Sequence, residues 1–347
     1  MEKTNKVMRI VLSIVTFVAI GLFAVALFAL PLQSGVQGDA KVTTTIYGFV
    51  ETLISAIKKA SEGGAGLSGL IGTIVSLLLT IVFTLVFGII ALVKGIILLV
   101  KTIKGMSGNG ELESLLGSLV GFGTTILIYI ALLLGAISAS RPGTSTTLGA
   151  GSEMMLSVGL LSLVVAGVYR VAVKDERKLV NKILGFGTSM LAIIGLMLAF
   201  AYTLSADGEV SFGLFWPVVG FIEVLSNSTA PASSVLVGYT LIVVGVVFIL
   251  VGLGMAKSVI ANGFTVDEKN KKPDFERSSI VKSAVWLGLM VIGFVLMAIG
   301  SSNVNLSLGA GAIVGMVMAA LALGCAIVNK VLVVKFAEPK EEAPKAE

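Results

Sequence analysis

Eight nearly uncharged apolar stretches, each more than twenty residues long, dominate this chain: roughly 8–30, 70–93, 115–138, 152–173, 184–204, 234–256, 279–300 and 308–334. About 20 apolar residues at 1.5 Å rise cross a hydrocarbon core ~30 Å thick. The chain is therefore expected to be an all-α polytopic membrane protein with eight transmembrane helices. Composition agrees: 56% hydrophobic and 13% charged residues, with a mean hydropathy of +1.03, against about 45–50% apolar and 25% charged in soluble chains. Lys3, Lys6 and Arg9 before the first run also suit a secretory leader, but leader cores are usually about 7–15 residues. This run is longer, and its counterpart at 184–204 lies mid-chain, so it is expected to stay.

Two short echoes organise the runs. Gly48-Phe49-Val50-Glu51-Thr52-Leu53 returns as Gly220-Phe221-Ile222-Glu223-Val224-Leu225, 172 positions later. Leu148-Gly149-Ala150-Gly151 returns as Leu308-Gly309-Ala310-Gly311, 160 positions later and in the same order relative to the apolar runs. The pattern predicts two tandem four-helix repeats. The first covers 1–174 with a long outer loop 31–69; the second covers 175–337 with an outer loop 205–233. The tail 338–347, with Pro339, Pro344 and alternating charges, has no apolar face and reads as disordered. Within the first outer loop, Ile46, Phe49, Val50, Leu53, Ile54 and Ile57 share one helical face, with Lys58, Lys59 and Glu62 at its polar end. That pattern predicts an amphipathic helix at the membrane surface or against the bundle.

Small residues mark expected helix contacts. Gly72, Ser76, Thr80, Thr84 and Gly88 recur every four residues in the second span, and Gly238, Gly245 and Gly252 every seven in the sixth. Such rows let helix backbones approach closely, where lipid supplies no hydrophobic drive to hold them together. Charge predicts orientation. With the N-terminus inside, 21 of the 25 basic residues fall in cytoplasmic segments, leaving Lys41, Lys58, Lys59 and Arg141 outside. Eight spans then place both termini in the cytoplasm of a cell membrane and give the two repeats a parallel orientation, related by an axis along the membrane normal.

Chemistry is sparse. The chain has no histidine and one cysteine, Cys325. The most common general base, the most common metal ligand and any internal disulfide are thereby removed. The LGAG stretches lack the rest of a phosphate-loop motif and read as tight starts to helices. No catalytic, cofactor-binding or metal residue is assigned, no cofactor is expected, and nucleic acid is not a predicted partner. The candidate partner- or ligand-facing residues are Gly48, Phe49 and Glu51 with Gly220, Phe221 and Glu223. The two glutamates read either as a carboxylate pair at an outer mouth or as the polar edges of two interfacial helices. Glu153 suits a helix N-terminus; Arg170 and Lys330, 160 residues apart, suit helix C-termini, with an anionic lipid head group as an alternative partner.

No Asp, Glu, His, Lys or Arg falls near the centre of any expected span, unlike most ion-coupled carriers. The predicted role is a non-enzymatic scaffold, accessory subunit or membrane-organising protein, contacting lipid and another membrane protein or a second copy. The alternative is a transporter or channel for a neutral or amphipathic small solute between the repeats, lined by Thr80, Thr84, Ser157 and Ser162. In layout, four spans with a long first outer loop and a short second one resemble tetraspan proteins such as claudins. Gly213-Leu214-Phe215-Trp216 resembles part of their outer-loop signature. The paired cysteines of that signature are absent from both halves, and no functional residue is carried across.

Overall fold

The computed structural model describes residues 2–37, 40–62, 67–109, 111–137, 144–172, 178–207, 210–226, 232–264 and 275–336. The expected disordered tail, the Arg141 loop and the boundary between the halves lie outside them. Among the described residues eight helices are long and apolar enough to cross a membrane: α1 (Glu2–Phe28), α3 (Leu67–Met106), α4 (Leu112–Ile137), α5 (Ala150–Ala172), α6 (Leu179–Ala201), α8 (Ser233–Asn262), α9 (Phe275–Ser302) and α10 (Ala310–Phe336). Two shorter helices, α2 (Ile46–Ser61) and α7 (Trp216–Ser226), complete the helical set.

The outer loops hold short strands, which the reading of the sequence as all helix and loop did not anticipate. These are β1 (Gln33–Gln37), β2 (Ala40–Thr44), β3 (Thr144–Leu148), β4 (Leu204–Ala206), β5 (Val210–Phe212) and β6 (Ser307–Leu308). Runs such as Lys41-Val42-Thr43-Thr44 and Thr144-Ser145-Thr146-Thr147 are rich in β-branched residues that suit a pleated backbone. Two antiparallel three-stranded sheets result, ordered β2-β1-β3 and β5-β4-β6. In chain order, each half reads helix, two strands, short helix, two long helices, strand, long helix.

The strands lie at one end of the bundle. The other end gathers basic residues, and contacts between elements place it. Arg9 at the start of α1 donates to Gly108 O at the end of α3 (3.5 Å), and Asn181 near the start of α6 donates to Asn329 Oδ1 near the end of α10 (2.7 Å). Gly108, with φ 80, makes the turn from α3 to α4 in a conformation that favours glycine. Inside the first half α1 packs on α3 and α5, α4 on α3 and α5, and α2 on α3. In the second half α6 packs on α8 and α10, α9 on α8 and α10, and α7 on α8.

The echoed LGAG sits at the same joint in both halves. Leu148 pairs with Gln33 and Leu308 with Leu204, each the first residue of a central strand. Gly149 N–H then donates to Leu32 O (2.9 Å), and Gly309 N–H to Thr203 O (2.8 Å). A Cβ at Gly151 would lie 2.5 Å from Ala26 O, and one at Gly309 2.5 Å from Tyr202 O. No side chain fits between the last helix of each half and the end of its first.

The seam between halves follows another pattern. The α4 helix meets α6 and α8, α3 meets α7, and α5 meets α6. Of the α4 span 89% is enclosed, against 33–50% for the other seven, so α4 is the hub. Along α8, a Cβ at Gly245 would lie 2.5 Å from both Gly293 O and Met297 Cγ on α9, and one at Gly238 2.7 Å from Gly300 O. Gly324 on α10 has no such neighbour within 4 Å. Gly245→Leu is therefore expected to cost about 3 kcal/mol or more, and Gly324→Leu to stay within about 0.5 kcal/mol. Thermal unfolding of the detergent-purified proteins, with monodisperse yield, measures both.

Candidate functional site

The α2 helix begins where Thr45 caps it: Gly48 N–H donates to Thr45 Oγ1 at 3.2 Å. Phe49 is buried, and it, Leu53 and Ala56 belong to the face toward α3. The neighbouring stripe, Tyr47, Val50, Ile54 and Ile57, is exposed, and so is Glu51. The Lys58–Glu62 contact at 4.0 Å closes the helix as an exposed pair of small energetic weight.

Its counterpart α7 is seated differently. A Cβ at Gly220 would lie 2.9 Å from the Tyr239 ring, so the glycine lets α7 press onto α8. Phe221 and Glu223 are half-buried, and Glu223 lies within Coulombic reach of Tyr239. Where α2 rests on α3, α7 bridges α3 of the first half and α8 of the second. The two echoed glutamates thus share the strand end of the bundle but not the same surroundings. Among the described residues no three His, Cys, Asp or Glu side chains gather as a metal site.

Gly213-Leu214-Phe215-Trp216 has a packing role that its sequence does not announce. Phe215 N–H donates to Gly135 O on α4 (3.1 Å), and its ring meets Phe83 (4.8 Å between centroids) and Phe200 (6.5 Å). Gly135 and Gly213 make room for this wedge: a Cβ on Gly213 would lie 2.6 Å from Gly135 O. Trp216 opens α7 and stacks on Phe212 at 6.0 Å.

The remaining sequence candidates are dispersed. Glu153 is exposed in the first turn of α5. Arg170, in the last turn of α5, is enclosed, while Lys330 is half-buried on α10. Three of the four hydroxyls suggested for a solute path are engaged in hydrogen bonds. Thr84 accepts from the Tyr129 hydroxyl (3.4 Å), and Ser157 and Ser162 donate to carbonyls of their own helix, Glu153 O (2.9 Å) and Val158 O (2.7 Å).

The seam does have a hollow, between α3, α4 and α8. It has a volume of about 190 Å³ and is lined by Phe87 and Ile90 of α3, Thr125 and Ile128 of α4, and Leu253, Gly254 and Lys257 of α8. Lys94 stands beside it, donating to Gly121 O at 3.4 Å. The sequence predicts spans ending at about 93 and 256, with the second helix continuing past Lys94 to Lys101 and Lys104 at the interface, its lysines snorkelling. The apolar helices in fact continue to Met106 and Asn262, so each lysine lies within its span. For α3 this matches the expected continuation past Lys94, whereas for α8 the expected span ends at 256, one residue before Lys257.

No family model matches the chain, and no curated protein or solved structure matches it either. Its class rests on its own physics: eight long apolar helices make it a multi-pass membrane protein whose environment is a lipid bilayer. Two substitutions test the site geometry. Phe215→Ala should cost roughly 3–5 kcal/mol by emptying the wedge, whereas Glu51→Gln, on an exposed surface, should stay within about 0.5 kcal/mol; thermal unfolding measures each.

Proposed function

We propose that the protein is a non-enzymatic scaffold, accessory subunit or membrane-organising protein, built from two tandem four-helix units in parallel orientation, with both termini in the cytoplasm of a cell membrane. The observation that carries the scaffold reading is the filled centre. The hub helix α4 buries Leu119, Phe122, Ile126, Tyr129, Ile130 and Leu133, so apolar side chains occupy the position an aqueous path would need. The duplication is supported by the matching order of elements, the matching packing partners within each half and the shared LGAG joint. Glycine-rich helix packing is supported by the close approach of α8 to α9. The orientation is supported by the basic residues gathered away from the strands.

In this reading α2 and α7 form the partner-facing surface. The exposed stripe Tyr47, Val50, Ile54 and Ile57 is its apolar part, and Glu51 and Glu223 its polar part, for another membrane protein or a second copy. A second reading, passage of a neutral or amphipathic solute along the seam, is favoured by the hollow between α3, α4 and α8. Vesicles containing the purified protein separate the two. Glycerol and urea permeation measured by light scattering should match protein-free vesicles, and in-cell crosslinking from Tyr47 or Ile54 should capture a discrete protein product. Permeation above the protein-free rate that disappears in Gly254→Trp would favour the solute path instead.

A further inference from the structure

Two lysines from opposite halves stand at the hollow in the seam, Lys257 in its lining and Lys94 beside it. The carbonyl of Gly121 takes both the Lys94 ammonium at 3.4 Å and the Thr125 hydroxyl at 2.7 Å. Thr125 and Ile90 line the hollow, and Lys94 follows Ile90 by four residues, so its head stands one helical turn further toward the basic end. Lys257 lines the same hollow from α8 and lies within Coulombic reach of Lys94. Among the described residues neither lysine forms an ion pair.

Lys94 is half-buried within its span, and Lys257, exposed on α8, lies five residues before that helix ends at Asn262. Gly121, which holds the Lys94 ammonium, is the tenth of the 26 residues of α4, about 14 Å of helix rise from the start of that helix. In so poor a dielectric an unpaired ammonium is costly, and a second one nearby adds repulsion. An anion seated between them offsets both terms at once. Beneath the lysines the wall is apolar, formed by Phe87, Ile90, Ile128 and Leu253. At Gly254 an added Cβ would meet nothing within 4 Å, so the hollow stays open there.

We propose that this hollow binds an anionic amphiphile of the bilayer, with its phosphate or carboxylate between Lys94 and Lys257 and the first part of its chain against the apolar wall. The rest of the chain continues into lipid. Flexible lysine stems let the two heads lean toward the basic face to meet the head group. A zwitterionic lipid is a poorer ligand because its own cation meets two more. Two sources carry the right chemistry: an anionic glycerophospholipid and a free fatty acid. The inference rests only on the chain lying in a bilayer and holds whether the protein is a scaffold or a solute path.

Native mass spectrometry of the full-length, detergent-purified protein tests it, with phosphatidylglycerol, oleate, phosphatidylcholine and inorganic phosphate titrated separately. The expected result is one tightly held copy of phosphatidylglycerol or oleate, with phosphatidylcholine bound about tenfold more weakly. The tighter of the two anions names the source. The double variant Lys94→Gln/Lys257→Gln should bring the anion down to the phosphatidylcholine level. Lys58→Gln/Lys59→Gln, an exposed pair at the opposite end, should leave it unchanged. Gly254→Phe, which fills the hollow and keeps both lysines, should weaken the anion by a similar factor, and Lys257→Gln alone serves if the double variant fails to fold. Equal binding of anionic and zwitterionic lipid, or equal losses in the two lysine pairs, would overturn the proposal. Full competition by inorganic phosphate would also overturn it, because the site would then read the anion without the chain.

Discussion

Backbone pressed on backbone, with no side chain between, is the contact from which each half of this bundle is built. In lipid, helices gain nothing from hiding apolar side chains from one another, because the tails they displace are equally apolar. Association then depends on close van der Waals contact and on amide groups with no solvent partner. Gly151 against Ala26 O, and Gly309 against Tyr202 O, supply the first. The Gly149 and Gly309 amides, bonded to Leu32 O and Thr203 O, supply the second. Each joint fixes the last helix of a half to the end of the first and sets the position of the sheet that crowns them.

Between the halves the logic changes. The α4 helix is enclosed and its positional counterpart α9 is not, so the seam is one-sided rather than a mirror of itself. Large side chains dominate it at the strand end, where Phe215 wedges among Phe83, Phe200 and Gly135. Between α3, α4 and α8 the fit loosens into the hollow with two lysines at it. A seam that is tight in one place and open in another can hold two units in fixed register while leaving room for a molecule from the membrane.

Much of this fold was legible from residue order because its strongest terms are local and periodic. Long apolar runs specify spans, and the amphipathic period of Ile46 to Ile57 specifies α2. The strands were less visible: β6 has two residues and β4 three, too few for alternation to register, and they exist because β3 and β6 pair across more than a hundred intervening residues. Phe215 was read as part of a loop signature because its partners come from three separate helices. The continuation of α3 past Lys94 is legible in the apolar residues that follow it, whereas the end of α8 is not, because only a short stretch after Lys257 carries the helix on to Asn262. The carboxylates singled out from the echoes, Glu51 and Glu223, share a sequence context but not an environment, because α7 has a second helix to lean on and α2 does not.

The central claim is that each half is an even-numbered set of crossings, so that the chain leaves the membrane on the side where it began. Small epitope tags fused to the two ends, with protease access measured in sealed cells and in inverted vesicles, address it directly. Protection of both tags in cells, and cleavage of both after inversion, is the predicted result. Cleavage of one tag from each side would mean an odd number of crossings, and the account of two like units facing the same way would not survive it.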